Sequence, residues 1–380
     1  MKHLFKSIPP VKPYFPEEDI EKIKADVEKI LKSGMLTLHI YNKEFEKQFA
    51  KICQVRHAIA VNSGTSALEI ALRTMKLKPE DEVLVPTNTF SATAAAVIFA
   101  GAKPKLTDIN PENLCIDVEN VQKNITSKTK GVIAVHIGGL VVPEIEEIKE
   151  LCQDEKIFLI EDAAHAHGST IKQKPAGSLG DIGCFSFYPT KVMTTGEGGM
   201  ITTNNDEIVK KARILRDQGK ENFSSSTIIE LGYNWRLPEI NAAIGITQLK
   251  RLPEIIEKRN KIAKYYDEAL ERIDGVTPRK TPSNIQNNYY KYVAFLEQDI
   301  NREKLKEKLK VKGVRCGGEV YWPPLHLQPI YRRLLNVKEE NFPFAEDACR
   351  RMICLPIYTQ MTTEDAKYVI EKLKETLSEI

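Results

Sequence analysis

Three short stretches carry residue types that covalent chemistry requires. In FSFYPTKVMTTGEGG (185–199) a single lysine, Lys191, follows an apolar run and precedes two threonines and a glycine-rich turn. An ordinary lysine is solvated and needs no such setting; a reactive one needs burial or neighbouring charge to depress its pKa. In IFLIEDAAHAHGS (157–169) four apolar residues lead to Glu161 and Asp162, then to His165 and His167. A carboxylate at the end of a buried strand must be paired or neutralised. Asp162 could hold a metal, a catalytic histidine or a protonated heterocycle, or it could simply cap a following helix. In VNSGTSALEIAL (61–72) a glycine turn with Gly64, Thr65 and Ser66 opens a helical pattern. Free N–H groups, the helix dipole and two hydroxyls suit a phosphate. The stretch has neither GK[ST] nor GxGxxG, and Ser63 or Thr65 as a plain helix cap fits it equally well.

One ligand satisfies all three stretches together: pyridoxal 5′-phosphate. A lysine supplies the amine for a Schiff base, an acid keeps the pyridine nitrogen protonated, and a cradle holds the phosphate. The lysine displaced by substrate can then carry a proton between carbons.

The elements that would position these residues alternate along the chain. EVLVP (82–86), KPKLTDI (103–109), KGVIAVH (130–136) and IFLIED (157–162) read as strands, with helical patterns at 66–75, 90–101 and 143–155 between them. This predicts an α/β fold with a mostly parallel central sheet covered by helices on both faces. Parallel sheets gather ligands beyond the carboxyl ends of their strands, which is where Asp162 falls. Residues 17–33 predict a helix stopped by Gly34. From residue 237 a long amphipathic run contains Pro253, a kink or break point. Beyond it, 287–296 reads as a strand, 301–313 as a charged helix and 362–380 as a terminal helix with a Thr/Glu-type start. The expected organisation is a large cofactor-binding domain over 1–254 and a small α/β domain over 255–380, with segment 1–34 able to pack on the small one.

Composition narrows the function classes. Of 380 residues, 42% are hydrophobic and 28% charged, the balance of a globular protein, and a net charge of +3 gives no basis for a nucleic-acid surface. No apolar run is long enough to span a membrane and the N-terminus carries no signal-like apolar core, so a cytoplasmic location is expected. The seven cysteines form no CxxC pair, and no metal site is expected.

The stretches FEKQFA, AVNSGTSAL, VPTNTFSATAAAV, IEDAAHAHGS, FSFYPTKVMTTGEGGM, LGYNWRLPEINAAIGITQL, VYWPPLHLQPIY and ICLPIY resemble, in order and over nearly the whole chain, the DegT-type sugar aminotransferases among the fold-type I pyridoxal phosphate enzymes. The resemblance implies that Lys191 is the Schiff-base lysine and Asp162 the partner of the pyridinium. His165 stands near the ring hydroxyl, where the family often has glutamine. Gly64, Thr65, Ser66 and Ser186 match the phosphate site, and Phe90 covers the ring. Asn234 matches a residue sent across a homodimer interface to the neighbour's phosphate. Tyr321 and His326 fall where the family lines its substrate opening, and Arg236 and Arg315 are candidates for an anionic diphosphate.

The implied reaction moves an amino group from glutamate or glutamine to a keto-sugar, usually nucleotide-linked; a cyclic polyol ketone is the close variant. Sugar dehydratases of the family carry histidine in place of the lysine, which Lys191 argues against. A desulfurase or β-eliminating lyase would need a reactive cysteine, and only Cys316 invites that role. A non-enzymatic regulatory protein is the third reading; a missing lysine or a strongly basic chain would favour it.

Overall fold

A computed structural model describes residues 6–337 and 341–380. Five strands come first: β1 (His57–Val61), β2 (Glu82–Pro86), β3 (Lys103–Thr107), β4 (Thr129–Val135) and β5 (Phe158–Asp162). A small hairpin, β6 (Thr170–Ile171) and β7 (Lys174–Pro175), interrupts before β8 (Ile182–Ser186) and β9 (Gly199–Thr203). Seven of these form one sheet in the order β1-β9-β8-β5-β4-β2-β3. The pairs β3–β2, β2–β4, β4–β5 and β5–β8 are parallel; β9 runs antiparallel to β8 and β1. Val83, Leu84, Val85, Val132, Ile133, Leu159, Ile160 and Ile182 are all buried, as strands covered on both faces require.

This topology points the carboxyl ends of β1, β2, β4, β5 and β8 to one edge of the sheet. Residues 62–66, 87–93, 162–165 and 186–191 therefore meet there, though they are distant in sequence. Helix Gly64–Thr74 follows β1 directly, with Ser63 as its N-cap accepting from the Ser66 N–H.

Beyond the large sheet, β10 (Val276–Pro278), β12 (Tyr292–Leu296) and β13 (Met352–Leu355) form a second sheet in the order β10-β12-β13, while the short β11 (Ile285–Gln286) joins β6. A separate apolar cluster, including Tyr266, Tyr292, Leu305, Leu309, Val369 and Leu373, fills the space behind it. Ile8 enters that second cluster and pairs with Val314, whereas helix Glu17–Ser33 docks on the long helix through Asp19 and Arg251. Gly34 ends the first helix in the left-handed conformation, φ 69°. Residues 1–5 of the expected N-terminal segment lie outside the described residues.

Two local readings need adjustment. Helix Glu239–Leu270 runs through Pro253 without ending, its buried face packing along both clusters. The strand expected over 287–296 begins only at Tyr292, because the Asn288 side chain fastens the preceding residues elsewhere. The last helix, Thr363–Leu377, does start with a capping box, closed by Thr362 and Asp365. Among the described residues no helix is long and apolar enough to cross a membrane.

The cradle depends on one close approach. A Cβ on Gly199, the first residue of β9, would lie 2.2 Å from the Ser63 carbonyl oxygen. Backbone cannot yield there as a flexible side chain would. Gly199→Ala is expected to lower stability by about 1–3 kcal/mol, read as a lower urea midpoint at unchanged slope; an unchanged midpoint contradicts the packing described.

Candidate active site

At the carboxyl edge of the large sheet lies a cavity of about 420 Å³, whose walls include Gly64, Thr65, Phe90, Asp162, His165, Ser186, Lys191 and Tyr321. Lys191 sits in a loop closed at its base by Phe187, whose N–H donates to the Gly198 carbonyl and whose carbonyl accepts from the Thr195 N–H and the Thr194 hydroxyl. The two threonines of the motif are thus spent on loop geometry. Lys191 Nζ lies 4.7 Å from the centroid of the Tyr290 ring. Burial lowers the Lys191 pKa, with Lys291 adding to the effect, and the neighbouring Tyr290 and Asp162 only partly oppose it.

Asp162 ends β5, only 5% exposed. No helix follows it, so it is not a cap. Its Oδ2 accepts from the Thr93 hydroxyl at 2.8 Å and its Oδ1 from the Ala164 N–H at 3.2 Å. Burial raises its pKa, against the pull of these donors and of Lys191. Glu161, one residue earlier, faces the opposite side of the sheet, as strand alternation dictates. Its carboxyl oxygens accept from the N–H groups of Gly177, Leu179 and Gly180, each at 2.7 Å, and from His136 Nε2 at 2.9 Å. Of the two adjacent acids, one builds the scaffold and the other faces the cavity.

His165 Nδ1 accepts the Gly138 N–H at 3.1 Å, which assigns the proton to Nε2; that N–H donates to the Tyr321 hydroxyl at 2.9 Å. Burial, reinforced by Lys191, holds the His165 pKa well below its ordinary value, so the ring is neutral. The Tyr290 ring packs on it with centroids 4.4 Å apart. Phe90, the residue before helix Ser91–Phe99, faces Tyr321 across the mouth at 5.7 Å and is 58% exposed.

Other expected residues lie away from the cavity. Ser66 Oγ is buried and turned inward to Asn62 Oδ1 at 2.7 Å, leaving the exposed Thr65 as the hydroxyl of that turn that reaches the opening. His326 is fully buried, its Nδ1 2.7 Å from the Thr87 hydroxyl and its Nε2 3.2 Å from Glu346. Arg236 pairs with Asp217, and Arg315 is exposed, its backbone bonded to Ile8. Asn234 is exposed as well. Burial pushes the Cys316 thiol up to about 12, leaving it protonated and unlike the reactive thiol a desulfurase needs.

Sequence reasoning overlooked Thr93 and Tyr290. Thr93 stands four residues after Thr89, and their hydroxyls are 2.8 Å apart; a lone threonine in the first turn of an otherwise apolar helix, matched by one just before its start, could have marked a polar pair. Tyr290 was hidden inside the overlong strand.

The model of the DegT/DnrJ/EryC1/StrS aminotransferase family matches residues 17–374. The chain belongs to that family. It is 36% identical to a GDP-perosamine synthase of Caulobacter vibrioides over 337 residues, covering 88% of this chain and 89% of the relative. PseC of Helicobacter pylori, described as an aminotransferase involved in the biosynthesis of pseudoaminic acid, superposes with a TM-score of 0.92 at 27% identity, covering 99% and 100% of the two chains. The PLP form of Spr1654, a putative sugar aminotransferase from Streptococcus pneumoniae, superposes with a TM-score of 0.90 at 28% identity, covering 98% and 99%. The chain is therefore a pyridoxal phosphate-dependent aminotransferase of fold type I. The residues present fit the cofactor: an amine of lowered pKa, a buried acid facing it, and an open helix N-terminus share one cavity.

The division of labour between the two acids is measurable in the apoprotein. Glu161→Ala strands four donors, three of them on buried residues, and should cost about 3 kcal/mol or more in urea unfolding. Asp162→Asn should leave stability unchanged or raised, because burial makes its ionisation costly to the fold above its ordinary pKa. The reverse order of losses contradicts this assignment.

Proposed function

We propose that this aminotransferase moves an amino group from glutamate or glutamine to a nucleotide-linked keto-sugar, with Lys191 as the covalent attachment point of the cofactor. The observation that carries the reading is the pairing of a depressed amine, Lys191, and a buried acid, Asp162, in the walls of one cavity. A nucleotide-linked acceptor is supported by the Caulobacter relative, whose name specifies a GDP-sugar product.

In this scheme Lys191 would hold the cofactor by its amine, Asp162 would meet the ring nitrogen, and His165 would stand by the ring hydroxyl. The Gly64–Thr65 turn and Ser186 would hold the phosphate, with Phe90 over the ring. When bound, pyridoxal phosphate supplies an aldehyde for amine exchange and a cationic ring that takes up electron density from the reacting carbon. The Lys191 Nζ, once free, has a pKa lowered by burial; it would carry a proton from the carbon bearing the donor's amino group to the cofactor, and from the cofactor to the acceptor carbon in the second half of the reaction. Thr93 and the Ala164 N–H fix the Asp162 carboxyl, so its charge is held at the place where a ring cation needs it. Tyr321, anchored by His165 and by its own N–H to Asn88 Oδ1 at 2.6 Å, lines the acceptor side of the opening.

The same reading joins two copies of the chain, with Asn234 reaching the neighbour's phosphate site. Its support is the exposed run around it: Ile228, Ile229, Leu231 and Tyr233, of which Leu231 is 85% exposed. It also divides the chain into units 1–254 and 255–380; the second apolar core draws all its residues but Ile8 from the later unit, while the first core takes in Tyr290, Leu325 and Cys354 of that unit as well.

Two experiments follow. Purified protein should show the yellow band of a lysine-bound cofactor; Lys191→Ala should lose the band and turnover, and Asp162→Asn should keep the band but slow turnover by roughly a hundredfold or more. A Lys191→Ala protein that still turns over substrate sinks the assignment. In a second test, mixing Lys191→Ala and Asn234→Ala subunits after dissociation should restore activity that neither variant shows, since hybrids rebuild one intact site. No recovery in verified hybrids contradicts the shared site.

A further inference from the structure

Lys291 stands immediately before β12, partly buried beside the cavity wall. Its Nζ lies 5.4 Å from the centroid of the Tyr290 ring, the same ring that carries Lys191 Nζ at 4.7 Å. Two ammonium groups thus share one aromatic side chain. Other half-buried lysines of the second sheet's surroundings have carboxylates: Lys306 meets Glu319 at 2.7 Å and Lys312 meets Glu379 at 2.7 Å. Among the described residues the Lys291 side chain has no hydrogen bond and no ion pair; its interaction is with the Tyr290 ring.

The surroundings explain why the charge stays open. Gly317, four residues before Tyr321, passes so close that a Cβ would stand 3.1 Å from Lys291 Nζ. The nearby Cys354 thiol is pushed up to about 11 by burial and is neutral, and His165 is neutral too. A second cation this near to Lys191 is unfavourable until an anion arrives, and Tyr290, whose ring both amines approach, lines the cavity in which the Lys191 amine must react.

Resting on the aminotransferase reading, we propose that Lys291 anchors an anionic group of the substrate, a carboxylate of the amino donor or a phosphate of the acceptor. Glutamate, through its side-chain carboxylate, and a nucleotide-linked sugar, through its diphosphate, each carry such a group at a distance from the reacting carbon. A lysine suits alternating occupants, because its ammonium is a point charge without the fixed fork that binds arginine to one geometry. Tyr290 is the positioning residue between the two amines: its hydroxyl is held 2.9 Å from that of Thr190 and its ring spaces Lys291 from Lys191.

The test uses holoenzyme, Lys291→Met and Lys291→Arg. Calorimetric binding of glutarate and of pyrophosphate distinguishes the carboxylate from the phosphate source and requires no turnover. Lys291→Met should weaken whichever probe binds by about tenfold or more, the worth of a charge-assisted hydrogen bond, and Lys291→Arg should restore most of it. The half-saturation of the matching substrate should rise in parallel in Lys291→Met and return toward that of the unaltered enzyme in Lys291→Arg, which keeps a cation beside Lys191. Failure of unaltered holoenzyme to bind either probe, binding unaffected by Lys291→Met, or a lost rate with unchanged half-saturation overturns the proposal. A protein that binds the probes but transfers no amino group would instead indict the function proposed above.

Discussion

A buried amine and a buried acid facing one cavity are each held in the wrong condition for a folded protein on its own. Removal from water disfavours the ammonium of Lys191 and the carboxylate of Asp162, pushing the two pKa values in opposite directions. Their mutual attraction offsets part of the cost. A ligand that reacts with the amine and presents a cation to the acid relieves both, so the fold stores affinity for such a ligand. The parallel sheet is what makes the arrangement tolerable, because five strands deliver rigid ends to one edge and their backbone is satisfied by neighbours.

Strand alternation does the rest. Consecutive acids at 161 and 162 project to opposite faces, and each finds the partners of its side. Glu161 gathers three backbone N–H groups and His136, shaping the loop that returns the chain to β8. Asp162 gathers the Thr93 hydroxyl, delivered by a helix from elsewhere in the chain, and the N–H of Ala164 two residues on. A one-residue shift in β5 would exchange scaffold and site.

Much of this was legible in the residues themselves. The run EVLVP coincides with β2, and the apolar approach to Asp162 put it at a strand end, where ligands collect. Lys191 stood out because its neighbours were wrong for a surface residue. Long-range partners were not legible. His326 and Arg236 look available in sequence, yet Thr87 and Glu346 occupy the first and Asp217 the second. Tyr290 was concealed because Asn288 donates to the carbonyls of His165 and His167, at 2.8 and 3.0 Å, and so bends 287–291 out of the strand and into the cavity wall. Periodicity describes faces of elements; it does not report a side chain that fastens two loops together.

The account rests on which amine carries the cofactor. Borohydride reduction of the yellow holoprotein, followed by digestion and peptide mass mapping, reads that directly. The label should appear on the peptide containing Lys191 and on no other. A label on Lys291, the other amine over the Tyr290 ring, or no label at all in a protein that still transfers amino groups, would contradict it.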